Sequence, residues 1–329
     1  MLTYFIRRSF YLLITVAVVS VVAFVLIQLP PGDYLTTYVI QLENQGSTVS
    51  EYELQGLRRQ FGLDQPVMVQ YLKWIWGIVS RGDFGRSLLW NVGVSELIWE
   101  RMGWTMVVAL GSLLFTYAVA IPIGIYSALH KYSPFDFSFT VIGYVGLATP
   151  NFFLALLLMY MGFKVFGQSV GGLFSPEYTD APWSLRKLLD LLSHLWVPVV
   201  VLGTAGTASI IRIMRGMLLD ELKKQYVVTA RAKGLSEQRL VFRYPVRIAL
   251  NPIVATIGWQ LATIISGAPI VGVVLSLPTT GAMMLRALLS QDMLLAGAFI
   301  LLLSVLTVVG TFISDLLLAA LDPRIRLEQ

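Results

Sequence analysis

Six stretches of the chain carry no Asp, Glu, Lys or Arg: residues 9–29, 104–129, 137–163, 195–211, 248–285 and 293–314. A helix needs about 20 apolar residues, within a range of roughly 17–25, to cover the hydrocarbon of a bilayer. Each stretch meets that requirement, and 248–285 exceeds the need of one span. Unbroken apolar runs predict helices; barrel strands would show short alternating segments. The first run follows Arg7 and Arg8 as a signal peptide would, but it is too long for a signal h-region. Leu29-Pro30-Pro31-Gly32 also lacks the small residues of a cleavage site, so the run reads as the first span.

The polar intervals predict the connections. Residues 31–103 form a long segment with helix signals of its own. Ser50 and Glu53 make a capping box, Gly62 and Leu63 a stop, and a second helix runs from Pro66 to Ser80 before the turn Arg81-Gly82-Asp83-Phe84-Gly85. Trp74, Trp76, Trp90, Trp99 and Trp104 fit an aromatic belt at a membrane interface, or a ligand platform. His130 to Pro134 is short enough to demand an antiparallel hairpin, and Pro122 and Pro150 predict kinks. No chemical constellation stands out in 167–194. The small residues Gly203 to Ser209 predict a helix or subunit contact, with a pore lining as the alternative. Gly267, Pro269 and Gly272 predict a broken helix ending in a short hairpin at Pro278-Thr279-Thr280-Gly281, and Asp322-Pro323 closes the last span after Leu321.

Composition agrees and adds a direction. Apolar residues make up 56% of the chain and charged ones 13%, with a mean hydropathy of +0.73. From Arg212 to Arg247 there are nine Lys/Arg against three acids, whereas 31–103 holds six against eight. Positive-inside bias puts the first region in the cytoplasm together with both termini, through Arg7-Arg8 and Arg324/Arg326, and puts 31–103 outside. The pI near 9.4 follows from this arrangement and gives no reason to invoke nucleic acid. With no cysteine there is no disulfide or thiolate chemistry.

The basic interval 219–251 reads as two short helices. Leu219 to Lys233 forms the first, stopped by Gly234 with Leu235 as hydrophobic follower; Ser236 caps the second, which starts at Glu237 and is limited by Pro245. Tyr226, Val227, Ala230 and Leu235, if exposed to the cytoplasm, need a cleft on another protein. A helix lying on anionic lipid is the other reading, disfavoured because the run is rich in small residues.

The run Tyr226-Val227-Val228-Thr229-Ala230-Arg231-Ala232-Lys233-Gly234-Leu235 resembles the coupling-loop signature of the dipeptide/oligopeptide branch of ABC importer permeases. The likeness extends through Pro31-Gly32-Asp33, Phe61 to Pro66 with Gln70-Tyr71, Gly82 to Ser87, Thr149 to Phe153 and Leu321 to Arg326. It implies an all-α membrane protein of six transmembrane helices, the type I ABC importer permease fold. The parts would be 1–30 (N-terminus and first span), 31–103 (external helical segment) and 104–329 (permease core). The implied partners are a second homologous permease, two cytoplasmic ABC ATPases that hold ATP and Mg, an extracytoplasmic substrate-binding protein, and membrane lipid. The implied location is a bacterial or archaeal cytoplasmic membrane. Tyr226, Val227, Thr229, Ala230, Ala232, Lys233, Gly234 and Leu235 would form the ATPase-coupling loop. The chain departs from many peptide permeases at Gly272, Val274 and Pro278 to Gly281, and members with such variants are linked to oligosaccharide uptake, so the implied cargo is oligopeptide or oligosaccharide.

No phosphate-cradling Gly-x-x-x-x-Gly-Lys-Ser/Thr occurs, so ATP hydrolysis is expected on separate subunits and no cofactor or metal on this chain. The charges in or near spans are Lys164, Arg212, Arg215 and Asp315. Lys164 and Arg215 are expected to snorkel, and Asp315 to form a structural ion pair or a backbone contact. Asn151, Gln260 and Thr263 are candidate path-lining groups. An ion-gradient-driven transporter or channel subunit is the rival class, without the paired midplane acids it calls for; a scaffold subunit is the third.

Overall fold

The computed structural model describes residues 2–29, 52, 55, 56, 59, 64–87, 89–167 and 170–321. Among them the regular structure is helical. In chain order the helices are α1 (Leu2–Gln28), α2 (Val67–Arg81), α3 (Val94–Leu129), α4 (Pro134–Ala148), α5 (Asn151–Phe166), α6 (Leu185–Glu221), α7 (Gln225–Ala232), α8 (Glu237–Arg243), α9 (Pro245–Ala255), α10 (Ile257–Val274), α11 (Thr280–Leu289) and α12 (Met293–Leu321). Five of these, α1, α3, α6, α10 and α12, are long and apolar enough to cross a membrane; α4 and α5 qualify together, bent by 109°. Expectations for Pro31 to Asp33, Ser50 with Glu53, Phe61 to Leu63, Asp322-Pro323 and Arg324/Arg326 lie outside the described residues.

The helix ends follow local chemistry. Ser133 caps α4 by accepting the Asp136 amide, with Pro134 in the first turn, and Ser184 caps α6 through the Lys187 amide. Gly82 and Gly167 close α2 and α5 in the left-handed conformation, with φ of 65° and 63°. The expected kink at Pro150 is the 109° bend. The expected break at Gly267 to Gly272 is absent: α10 runs through Pro269, and the interruption falls at Thr256, between α9 and α10. One proline removes a single helical hydrogen bond, which neighbouring helices make tolerable. At Thr256 the hydroxyl donates to the Ile253 carbonyl (2.7 Å) and shares a hydrogen bond with the Tyr117 hydroxyl (2.9 Å), which holds the turn.

The chain forms two compact units, each built from the described parts of its segments: residues 1–9, 106–278 and 309–329 in one, and 10–105 and 279–308 in the other. In the first unit α6 is the hub, and the run Gly203 to Ser209 is its contact surface. Gly203 meets Ser112, Phe115 and Thr116 of α3, and the Thr116 hydroxyl contacts the Gly203 carbonyl at 3.0 Å. Thr204 and Ala208 face Gly146 and Gly143 of α4, and Gly206 faces Gln260 of α10. Missing side chains let the helices approach, as packing in lipid requires. Helix α12 packs on α10 through Gly258 against Thr311, and α1 meets α12 through Phe5 and Phe312. Arg8 pairs with Asp315 at 3.2 Å, the ion pair expected for that acid.

The second unit has its own core, including Phe24, Trp74, Phe84, Ile98, Leu295 and Phe299. Trp74 departs from the belt expectation: it is buried against Phe24 (centroids 5.6 Å), while Trp76 and Trp99 are exposed. Gly82 to Ser87 is a latch. Phe84 is buried, Asp83 accepts the Gly85 amide, and the Ser87 hydroxyl donates to the buried Asp292 at 2.5 Å. Asp292 also accepts the Leu295 amide at 3.3 Å, so one carboxylate both caps α12 and holds the loop.

Candidate coupling site

The basic interval folds as a knuckle with an inside and an outside. Helix α6 continues to Glu221, Leu222 to Lys224 turn the chain, and α7 follows, so the first short helix begins at Gln225 and not at Leu219. Gly234 stops it as expected, with φ of 79°, and the Leu235 amide reaches the Ala230 carbonyl at 3.4 Å. Ser236 precedes α8 without a side-chain cap bond, and Pro245 opens α9.

Exposure of Tyr226, Val227, Ala230 and Leu235 was the expected argument for a partner cleft, and the fold corrects it. Val227 is fully buried among Leu218, Leu240, Val241, Val246 and Ala249; Tyr226, Ala230 and Leu235 are half-buried against the same cluster. Positions three and four apart share a helix face, so 226, 227 and 230 turn inward together. The outside consists of Val228, Thr229, Arg231, Ala232, Lys233 and Gly234. A Cβ built on Gly234 meets nothing within 4 Å, so the glycine opens onto free space.

Polar contacts fix the knuckle. The Tyr226 hydroxyl donates to Glu221 at 2.6 Å, and Lys224 pairs with the same carboxylate at 3.3 Å. Burial, and then the Glu221 carboxylate, push the Tyr226 phenol well above its ordinary value. A raised value means that the contact persists below the ordinary phenol range, near pH 10, and is lost only as pH climbs through the higher folded value. Tyr226→Phe is expected to lower stability by about 1 kcal/mol, less than the roughly 1.5–3 kcal/mol of a bond to a charged group because the ring is only half-buried. Thermal unfolding in detergent checks the loss, and phenolate absorbance during alkaline titration checks the late ionisation. On the outside, Arg231 donates to Glu237 at 3.0 Å; this bond holds the Glu237 carboxyl below its usual range and raises Arg231.

Behind the knuckle, the hairpin between α3 and α4 is tied to α6. Buried Asp136 accepts the Tyr132 amide at 3.0 Å and two bonds from Arg215, at 3.2 and 3.0 Å. Arg215, expected to snorkel, instead makes a bidentate clamp less than two turns before the end of α6. The Ser133-Pro134 start of α4 was the available sequence signal for Asp136, because an acid in a capped first turn is a standard arrangement.

The candidate path residues stand apart from the knuckle. Asn151 opens α5 at the bend, half-buried, with its Nδ2 3.2 Å from where a Gly267 Cβ would lie. Gln260 is 1% exposed with its amide over Gly206. Thr263 is exposed, its hydroxyl on the Trp259 carbonyl at 3.0 Å. Sequence reading missed a cluster at the start of α6. Lys187 lies between Phe174 and Trp183 (5.0 and 5.4 Å) and donates to the Thr179 and Ala181 carbonyls, while Asp190 accepts the amide and hydroxyl of Ser175. The spacing 187, 190, 194 on one helix face was the signal, and the cluster pins the preceding loop.

Comparison with known proteins joins these features to one family. The model described as "Binding-protein-dependent transport system inner membrane component" matches residues 120–327, and the N-terminal model of such membrane components matches 1–109. The chain belongs to this permease family. Relatives include the oligopeptide transport system permease AppB of Bacillus subtilis, 32% identical over 99% of both chains. The di/tripeptide permease DppB of Pseudomonas aeruginosa (31%) and the dipeptide permease DppB of Escherichia coli K12 (29%) also cover 99% of both chains. The permease is thus a multi-pass membrane transport component, and its knuckle falls within the matched region.

Proposed function

We propose that the permease forms one half of the membrane pathway of an ATP-driven importer, taking up oligopeptides delivered by an extracytoplasmic binding protein. A second permease completes the pathway, and two ABC ATPases on the cytoplasmic side hold ATP and Mg. The observation that carries this reading is the two-faced knuckle. Its inner face packs in a cluster with residues of α6, α8 and α9, and its outer face is exposed and carries Arg231 and Lys233 beside Ala232 and Gly234, an arrangement suited to seating in a cleft and passing force to the spans. Val228, Thr229, Ala232, Lys233 and Gly234 meet the ATPase; Tyr226, Val227, Ala230 and Leu235 make the knuckle rigid. The bent pair α4–α5 counts as one span, for a total of six, with the knuckle and both termini in the cytoplasm by positive-inside bias. The membrane is a bacterial or archaeal cytoplasmic membrane.

Relatives named for peptide transport support a peptide cargo. The departure at Pro278 to Gly281 bears less on cargo than on folding, because Thr280 is fully buried with its amide and hydroxyl on Thr105, both at 2.9 Å. Proteoliposomes holding the permease, its partner permease and the ATPases test the proposal with labelled oligopeptides and oligosaccharides. Peptide uptake should require both ATP and binding protein. Uptake under an ion gradient without ATP overturns the ATP-driven reading, and oligosaccharide uptake alone overturns the peptide assignment.

A further inference from the structure

Helix α2 is apolar on two opposite faces. One face carries Tyr71, Trp74, Gly77 and Ile78 and packs in the second unit's core. The other carries Met68, Leu72, Trp76 and Val79, which are 67%, 55%, 69% and 74% exposed. Lys73 and Ser80 form a polar seam between the two. A short helix with an open apolar face as large as its packed one is not built for water.

Its depth is fixed by α1. The charge-free part of helix α1, residues 9–28, spans about 30 Å, which matches the hydrocarbon thickness. Arg8 therefore marks one boundary and Gln28 the other. The Tyr71 hydroxyl bonds to Ser20 at 2.8 Å, eight residues before Gln28 and so about 12 Å inside that boundary. The Phe24 ring, about 6 Å inside, packs on Tyr71 and Trp74 with centroids 5.5 and 5.6 Å away. Near the boundary itself, the Gln28 and Gln70 side chains meet at 3.3 Å.

We propose that α2 lies within the leaflet at the Gln28 end of α1, with Met68, Leu72, Trp76 and Val79 in contact with lipid acyl chains and the Lys73–Ser80 seam at the headgroups. The inference rests on α1 as a membrane span and not on the ATPase reading. The contacts on α1, about 6 and 12 Å inside the boundary, bracket the roughly 5–10 Å to which interfacial helices bury their apolar face, and an exposed tryptophan beside a lysine is the usual pair at that level. Part of the segment between the first two spans thereby serves as an anchor that fixes the tilt of α1.

The chain has no cysteine, so single cysteines introduced for spin labels report unambiguously. The full chain, assembled with its partner subunits in phosphatidylcholine–phosphatidylethanolamine vesicles, is labelled in L72C, W76C and V79C and, for comparison, in K73C and S80C. Collision with oxygen, which concentrates in lipid, should exceed collision with a water-confined nickel chelate severalfold at 72, 76 and 79. The ratio should reverse at 73 and 80. Excess binding protein should leave the first three labels unchanged. Equal access of the nickel chelate to both sets overturns the proposal. So does shielding of 72, 76 and 79 from both reagents, with or without binding protein, because a protein partner then covers the face.

Discussion

Ala232→Arg is expected to leave membrane insertion and subunit assembly intact while stimulated ATP hydrolysis and transport fall together by about thirtyfold, the weakening that roughly 2 kcal/mol of lost docking free energy produces. Ala232 is exposed on the outer face of the knuckle, so a long charged side chain there stays in water in the free permease but must desolvate in a cleft. Ala230→Arg is a poorer test, because Ala230 packs against the knuckle's own cluster and its replacement would damage the loop itself. Gly234→Asp combines left-handed backbone strain of about 1–2 kcal/mol with an added charge and should behave like Ala232→Arg. The readout is binding-protein-stimulated ATPase activity in proteoliposomes alongside size-exclusion of the assembled complex. Full stimulation in Ala232→Arg would sink the assignment of this face to the ATPase.

Gly258→Leu is expected to destabilise the permease by about 3 kcal/mol, with loss of most monodisperse protein on solubilisation. A Cβ at 258 would stand 2.5 Å from the Thr311 Cα and 2.8 Å from its amide nitrogen, and neither backbone atom can rotate away. Helices α10 and α12 would have to separate, breaking the Ser314 to Val254 bond (2.7 Å) and the packing of Gly310 on Leu261. Gly216→Leu is the control. That glycine is also helical, but a Cβ there meets nothing within 4 Å, so the change should be neutral or slightly stabilising through helix propensity. Equal yields and melting temperatures for the two variants would contradict the close contact between α10 and α12.

Much of the fold was legible along the chain because it depends on local quantities. Apolar runs located the spans, Pro150 located the bend, and Gly234 located the stop before α8, each through a propensity that acts within a few residues. The contact role of Gly203 to Ser209 was equally readable, since small size in lipid has few other uses. The polar pairings were not. Asp136 meets Arg215 across 79 positions and Ser87 meets Asp292 across 205, and no local pattern encodes a partner so far away. Pro269 misled for the opposite reason: its local effect was real, but packing of α10 against α5, α6 and α12 overrode it.

By itself the sequence determined that this is a helical membrane protein with a basic, small-residue loop between its fourth and fifth apolar stretches, because hydrophobicity and charge act residue by residue. Only the tertiary structure decided which side of that loop faces outward. Val227 is fully buried in a cluster that also holds Leu240, Val246 and Ala249 of later helices, and a face is defined by what packs on it.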